Sequence, residues 1–141
     1  MKLRKRKGID MDHAKNLREQ VFEYVRETYG TQPEYLWPRF PDCAVLRRGD
    51  NRKWYGIVMD VSREKLGLPG LGRVDILNVK LGDPLLTELL LGQPGYRKSY
   101  HMGGNGWISI LLDGTVPVQD ICHWLDHSYG ETAPPMRKKR G

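Results

Sequence analysis

Tyr100-His101-Met102-Gly103-Gly104-Asn105-Gly106-Trp107-Ile108-Ser109-Ile110-Leu111-Leu112-Asp113-Gly114 is the stretch from which the fold is read. The glycines around Asn105 allow positive φ at low steric cost, so a sharp reversal belongs there. Trp107 to Leu112 is β-rich and nearly all apolar, as an interior strand should be. Asp113-Gly114 is a second turn signal, and Pro117 stands where a helix can begin. No nucleophile motif, metal box or phosphate loop occurs in the stretch.

Downstream, Val118, Ile121, Cys122 and Leu125 fall on one face of a closing helix. Upstream, Asp83-Pro84 is the strongest helix start in the chain, an N-cap acid followed by proline at the first helical position. That helix runs through Leu85, Leu86, Leu89 and Leu90 to Gly92. Arg73–Leu81, Trp54–Val61 and Cys43–Leu46 read as strands, the last two joined by the turn Gly49-Asp50-Asn51. In Trp54–Val61 the alternation places Tyr55, Ile57, Met59 and Val61 on one apolar face. Ser62–Gly72 is a glycine-rich connection with one helical turn at Ser62–Leu66. After Pro94-Gly95, the first half of the opening stretch is a candidate strand. Pro33, Pro38 and Pro41 interrupt regular structure, and Tyr35, Leu36 and Trp37 are expected to pack that connection onto the core. Leu17, Val21, Tyr24/Val25 and Thr28/Tyr29 recur at helical spacing, predicting an amphipathic helix of about 17 residues. Asp10 or Asp12 would cap that helix, and Gly30 would end it. Helix, strands, helix, hairpin, helix in this order implies an α+β fold: an antiparallel β-sheet packed on one side by helices.

The 141 residues suit one domain with its own core. No apolar run approaches the roughly 20 residues that cross a bilayer. The N-terminus lacks the apolar stretch of a signal peptide, so a cytoplasmic monomer with reduced Cys43 and Cys122 is expected, and no membrane partner. The net charge of +6 is concentrated at the ends. Lys2, Arg4, Lys5, Arg6 and Lys7 crowd a basic arm at 1–9, and Arg137, Lys138, Lys139 and Arg140 a basic tail at 132–141, both expected to be disordered. Setting those nine bases aside with Asp10 and Glu131 leaves 14 bases against 15 acids, so the body between the two ends of the expected domain at 10–131 is nearly neutral, at net −1.

Lys80 before Asp83-Pro84, the leucine-rich helix, Pro94-Gly95-Tyr96, Tyr100-His101-Met102, Trp107, Leu112-Asp113-Gly114 and Ser128-Tyr129 together resemble the MmcQ/YjbR family. Trp37-Pro38 also resembles the tryptophan before that family's first strand. The resemblance spans roughly residues 12 to 131. It implies a CyaY-like two-layer fold and, through likeness to a "double wing" domain with a concave sheet, DNA binding. The chain departs from the family at Gly103–Gly106, where relatives often carry lysines.

A nucleic-acid surface needs cations that release counterions, with aromatics for anything beyond charge. The candidates are Arg47, Arg48, Arg52 and Lys53 on the hairpin, Arg97 and Lys98 before the glycine turn, and His101 and Trp107. The expectation is a non-enzymatic protein that binds DNA mainly through phosphates with poor sequence selectivity. The rival is an interaction module whose concave sheet receives a protein segment or small ligand, with Trp107, His101, Tyr100 and Lys80 around it. A continuous positive face would favour the first, an uncharged apolar groove the second. His123 and His127 share a helix face but lack a third ligand, so no metal and no cofactor are expected. His101 is the best titratable candidate for acid–base work, without a nameable orienting partner. Ser128-Tyr129 reads as a helix-end clamp, the ring packing and the phenol bonding to backbone.

Overall fold

Apolar residues spaced by four in the first helix and by two in the strands divide the chain into a helical layer and a sheet. The computed structural model describes residues 16–102 and 106–135. The basic arm, Asp10, Asp12, Gly103–Asn105 and the Arg137–Arg140 run lie outside the described residues. The elements are α1 (Leu17–Tyr29), β1 (Ala44–Arg47), β2 (Trp54–Ser62), a 3-10 turn (Arg63–Leu66), β3 (Arg73–Lys80), α2 (Pro84–Leu91), β4 (Tyr96–Lys98), β5 (Trp107–Leu111) and α3 (Val118–Glu131). The strands form one five-stranded sheet in the order β1-β2-β3-β5-β4, and each neighbouring pair is antiparallel. The fold is α+β, as expected.

Each helix begins and ends for a local reason. Leu17, Val21 and Val25 make the buried stripe of α1, and Gly30 closes it in the left-handed conformation at φ 71°. Asp83 caps α2 by accepting from the Leu85 N–H at 3.0 Å, with Pro84 at the first helical position. Pro117 is the N-cap of α3 rather than its first residue. Buried Ile121 and Leu125 of α3 join the α1 stripe, Leu46, Val58, Leu77, Val79, Ile108 and Ile110 in the main core. Asp126 of α3 accepts from the phenols of Tyr24 (2.8 Å) and Tyr29, which fastens α3 to α1.

The alternation read in β2 is broken by one extra residue. Leu46 lies opposite Gly56 and Arg47 opposite Trp54, so Tyr55 has no partner on β1. Tyr55 therefore joins Val58 in the core beneath the helices, and Trp54 moves to the opposite face with Ile57, Met59 and Val61. Glycine beside it leaves room for Leu46, whose Cδ1 would lie 2.9 Å from a Cβ at position 56 and would have to shift. The Tyr55 ring meets Tyr29 at 5.7 Å and Tyr129 at 4.9 Å, edge to face, while its hydroxyl pairs with Thr31 Oγ1 at 2.5 Å. Burial chiefly pushes its pKa up to about 12.

The clamp at Ser128-Tyr129 works differently from the expectation. The serine, not the tyrosine, reaches the backbone: Ser128 Oγ donates to Tyr55 O at 2.6 Å and accepts from Lys80 N at 2.8 Å. The β2–β3 pairing ends at Gly56 opposite Val79, and this hydroxyl bridges the next position. Tyr129 instead stacks on Tyr29 at 3.8 Å. Thr132, placed in the tail by the sequence, is buried and bonds Ser128 O through its hydroxyl at 3.0 Å. Tyr35 and Leu36 were expected to pack inward, but they are 53% and 39% exposed; Glu34 bridges Val45 and turns its two successors outward.

Replacing Ser128 by alanine leaves a buried N–H and a buried carbonyl without their shared partner. The expected loss is about 1–3 kcal/mol, read as a lower urea midpoint with an unchanged denaturant slope.

Candidate functional site

Three of the four hairpin cations are engaged by acids of the same chain. Arg47 Nε and Arg52 Nη2 each reach a different oxygen of Glu34, both at 3.1 Å. Arg47 also lies over the Trp54 ring at 5.9 Å. Arg48 is buried, gripping Asp50 through Nε at 2.9 Å and Nη2 at 2.8 Å, stacking over Tyr129 at 3.9 Å and donating to Tyr129 O. Such a bidentate, stacked guanidinium is a structural strut. Lys53 is exposed without an acidic partner among the described residues. Arg97 and Lys98 belong to β4, at the opposite edge of the sheet from β1. Trp107 is half-buried opposite Lys80. The expected nucleic-acid residues are thus spread across the sheet's width, and three of them are already ion-paired.

The structure gathers a different set on the face away from the helices. A groove of about 470 Å³ is floored by Trp54, Ile57, Met59 and Val61 of β2. One wall is Trp37, Phe40 and Cys43, from the connection that Pro38 and Pro41 keep irregular. Turns closed by Phe40 N to Trp37 O (2.9 Å) and Cys43 N to Phe40 O (3.0 Å) shape that wall. The other wall is Tyr100, His101 and Met102 after β4, and Asp60, Ser62, Lys65 and Arg73 gather along the lining. Trp37 and Trp54 meet edge to face at 5.8 Å; Tyr100 and His101 lie 4.1 Å apart. Phe40 is 64% exposed at the rim.

Two buried polar side chains hold the second wall. Asn78 of β3 donates to Tyr100 O at 3.2 Å, Ser109 of β5 accepts from Tyr100 N at 2.9 Å, and Ser109 donates to Asn78 Oδ1. Every partner in this set is inside the protein, which is what permits polar groups at the middle of a sheet. His101 follows with φ 60°, a left-handed conformation costly for a residue other than glycine. Beyond the groove, Val61, Leu66, Val74, Ile76 and Leu111 form a second, smaller core covered by the 3-10 turn.

His101 and Tyr100 were legible as lining residues from the glycine turn beside them; Trp107 and Lys80 do not line the groove. Trp37, Phe40, Met59, Met102 and Lys65 were missed. For Met59 the signal was β2 itself, apolar on both faces; Trp37, Phe40, Lys65 and Met102 lie on connections, where no strand period marks a face. His127 bonds the Leu81 carbonyl through Nε2 at 2.7 Å, so it is tied to the backbone. Among the described residues no three His, Cys, Asp or Glu side chains gather as metal ligands would. Burial pushes both the Cys43 and Cys122 thiols up.

Arg48 holds the Asp50 carboxyl down at about 2. Against an unfolded value of about 3.9, this contribution is present above the usual carboxylate range and is lost as pH falls toward 2. The urea midpoint of Asp50→Asn should therefore sit below the wild type at pH 6, and the gap should close between pH 4 and pH 2.

With the geometry in place, comparison with known proteins gives a consistent result. The YjbR family model matches residues 26–131. The chain is 43% identical over 112 residues to the uncharacterized protein YyaQ of Bacillus subtilis, covering 79% of this chain and 94% of that one. A crystal structure of a Pseudomonas syringae protein superposes with a TM-score of 0.79 at 38% identity, covering 82% of this chain and 98% of that one. A solution NMR structure of a P. syringae protein gives 0.77 at 35% identity, covering 88% and 98%. The crystal structure of Deinococcus radiodurans DR2400, with its DUF419 domain, shares the fold with a TM-score of 0.59 at 21% identity, covering 79% and 75%. The chain belongs to the YjbR family.

Proposed function

We propose that this protein is a non-catalytic binding module that takes a small, largely apolar ligand in the groove on the open face of its sheet. The observation that carries this reading is the lining: Trp37, Phe40, Trp54, Ile57, Met59 and Tyr100 around one concavity. Its volume falls within the range of about 300–1,000 Å³ typical of small-molecule sites. Aromatic rings and methionine suit such a site, because they offer large, polarizable contact at little entropic cost. The second wall is fastened by Asn78 and Ser109, which supports binding without prior reorganisation. Thiols raised by burial are poor nucleophiles, and His101 has no carboxylate partner among the described residues to orient it.

The nucleic-acid reading rests on cations. Arg47, Arg48 and Arg52 are committed to Glu34 and Asp50, and Lys53 stands a sheet's width from Arg97 and Lys98. This argues against one positive face built from these six candidate cations, and the bases near the termini lie outside the described residues.

Titration with the uncharged dye N-phenyl-1-naphthylamine tests the groove by dye fluorescence. Saturable binding is expected in the wild type, weakened about tenfold or more by Trp54→Ala and by Phe40→Ala, given the 1.5–3 kcal/mol scale of a buried aromatic. Phe40 is exposed, so its loss should leave the urea midpoint unchanged. Dye binding indifferent to both changes would show that the groove is not the site.

A further inference from the structure

We infer that the ligand of the groove is an aromatic anion, its ring on the β2 floor and its charged group beside Lys65. This inference rests on the groove reading above and adds the chemical class. The apolar lining carries three charged side chains, Asp60, Lys65 and Arg73. Arg73 is spent on Asp60: Nε lies 3.1 Å from its carboxylate and Nη2 donates to its backbone carbonyl at 2.8 Å. Lys65 has no acidic partner among the described residues, so the lining as a whole keeps one uncompensated positive charge.

The placement of Lys65 is specified locally. It stands on the 3-10 turn Arg63–Leu66, whose N-cap Ser62 accepts from the Lys65 N–H at 3.4 Å. Leu66 anchors the turn in the smaller core, and Gly67 ends it at φ 71°. Lys65 thus joins the lining from a fixed backbone, on a turn that Leu66 packs against Val61 and Met59. A compact cation beside an apolar, aromatic-walled floor is complementary to a ligand with a planar ring and an acidic substituent. A purely apolar ligand would leave that cation without a counter-charge, and a cationic one would be repelled by it.

Two dyes with one ring frame separate the claims. 8-Anilinonaphthalene-1-sulfonate carries the sulfonate that N-phenyl-1-naphthylamine lacks. In Lys65→Gln, sulfonate-dye affinity should fall about three- to tenfold, the scale of a partly exposed charge pair. The uncharged dye should bind as in the wild type, and Lys65→Arg should restore the sulfonate dye. Lys65 is exposed on its turn, so an unchanged urea midpoint is expected in both variants. If Lys65→Gln leaves the ratio of the two affinities unchanged, the anion inference fails while the groove reading stands. If neither dye binds saturably, or neither responds to Trp54→Ala, both fail.

Discussion

The one residue by which β2 outgrows β1 is the constraint on which the other features depend. With Tyr55 unpaired, the phase of the strand inverts, so Tyr55 enters the helical side while Trp54 goes to the other. A bulge breaks the hydrogen-bond ladder, and the exposed backbone groups must be met by something. On the β3 side of the same residue, where the β2–β3 ladder stops at Gly56, the Ser128 hydroxyl from the last helix bridges Tyr55 O and Lys80 N. One bond that fastens α3 to the sheet and the turn of Trp54 into the groove thus meet at neighbouring residues of β2. Straightening β2 would bury Trp54 beneath the helices and strip the groove of its largest surface.

What could be read from the sequence divides along the same line. The Leu17/Val21/Val25 stripe, the Asp83-Pro84 start and the β5 strand were legible because each is set by residues within a turn or two. The bulge was not, since a period-two reading assumes an unbroken phase and only Gly56 hinted otherwise. Tyr100 and His101 were found as lining because a glycine turn adjoins them. Trp37 and Phe40 sit in a proline-broken connection, which has no period to read. Their meeting with β2 is a tertiary event.

Charge is the local signal least complete without the fold. The arginines of the hairpin are plain in the sequence, but their partners are not. Glu34 lies 13 residues from Arg47 and 18 from Arg52, across a connection without regular structure. Arg48 faces Tyr129, 81 residues away, and only the folded chain makes it a buried strut. Exposed ion pairs such as Arg52–Glu34 contribute little to stability, about 0–1 kcal/mol. They do remove cations from the set available to a polyanion. A near-neutral body with internally satisfied arginines has an electrostatic character far from that suggested by the whole chain's +6.

Asn78 and Ser109 carry the remaining step. Both are fully buried near the middle of the sheet, where apolar side chains of similar shape would serve stability about as well. Their distinguishing act is to hold both polar backbone groups of Tyr100, the N–H by Ser109 and the carbonyl by Asn78. That grip comes directly before His101, whose positive φ needs surroundings that over-determine it. A strained residue held by a buried polar pair is what a binding wall requires if it is to stand ready before a ligand arrives, because the ordering cost then falls in folding rather than in association. The polar centre of the sheet is accordingly part of the groove, although neither of its side chains lines it.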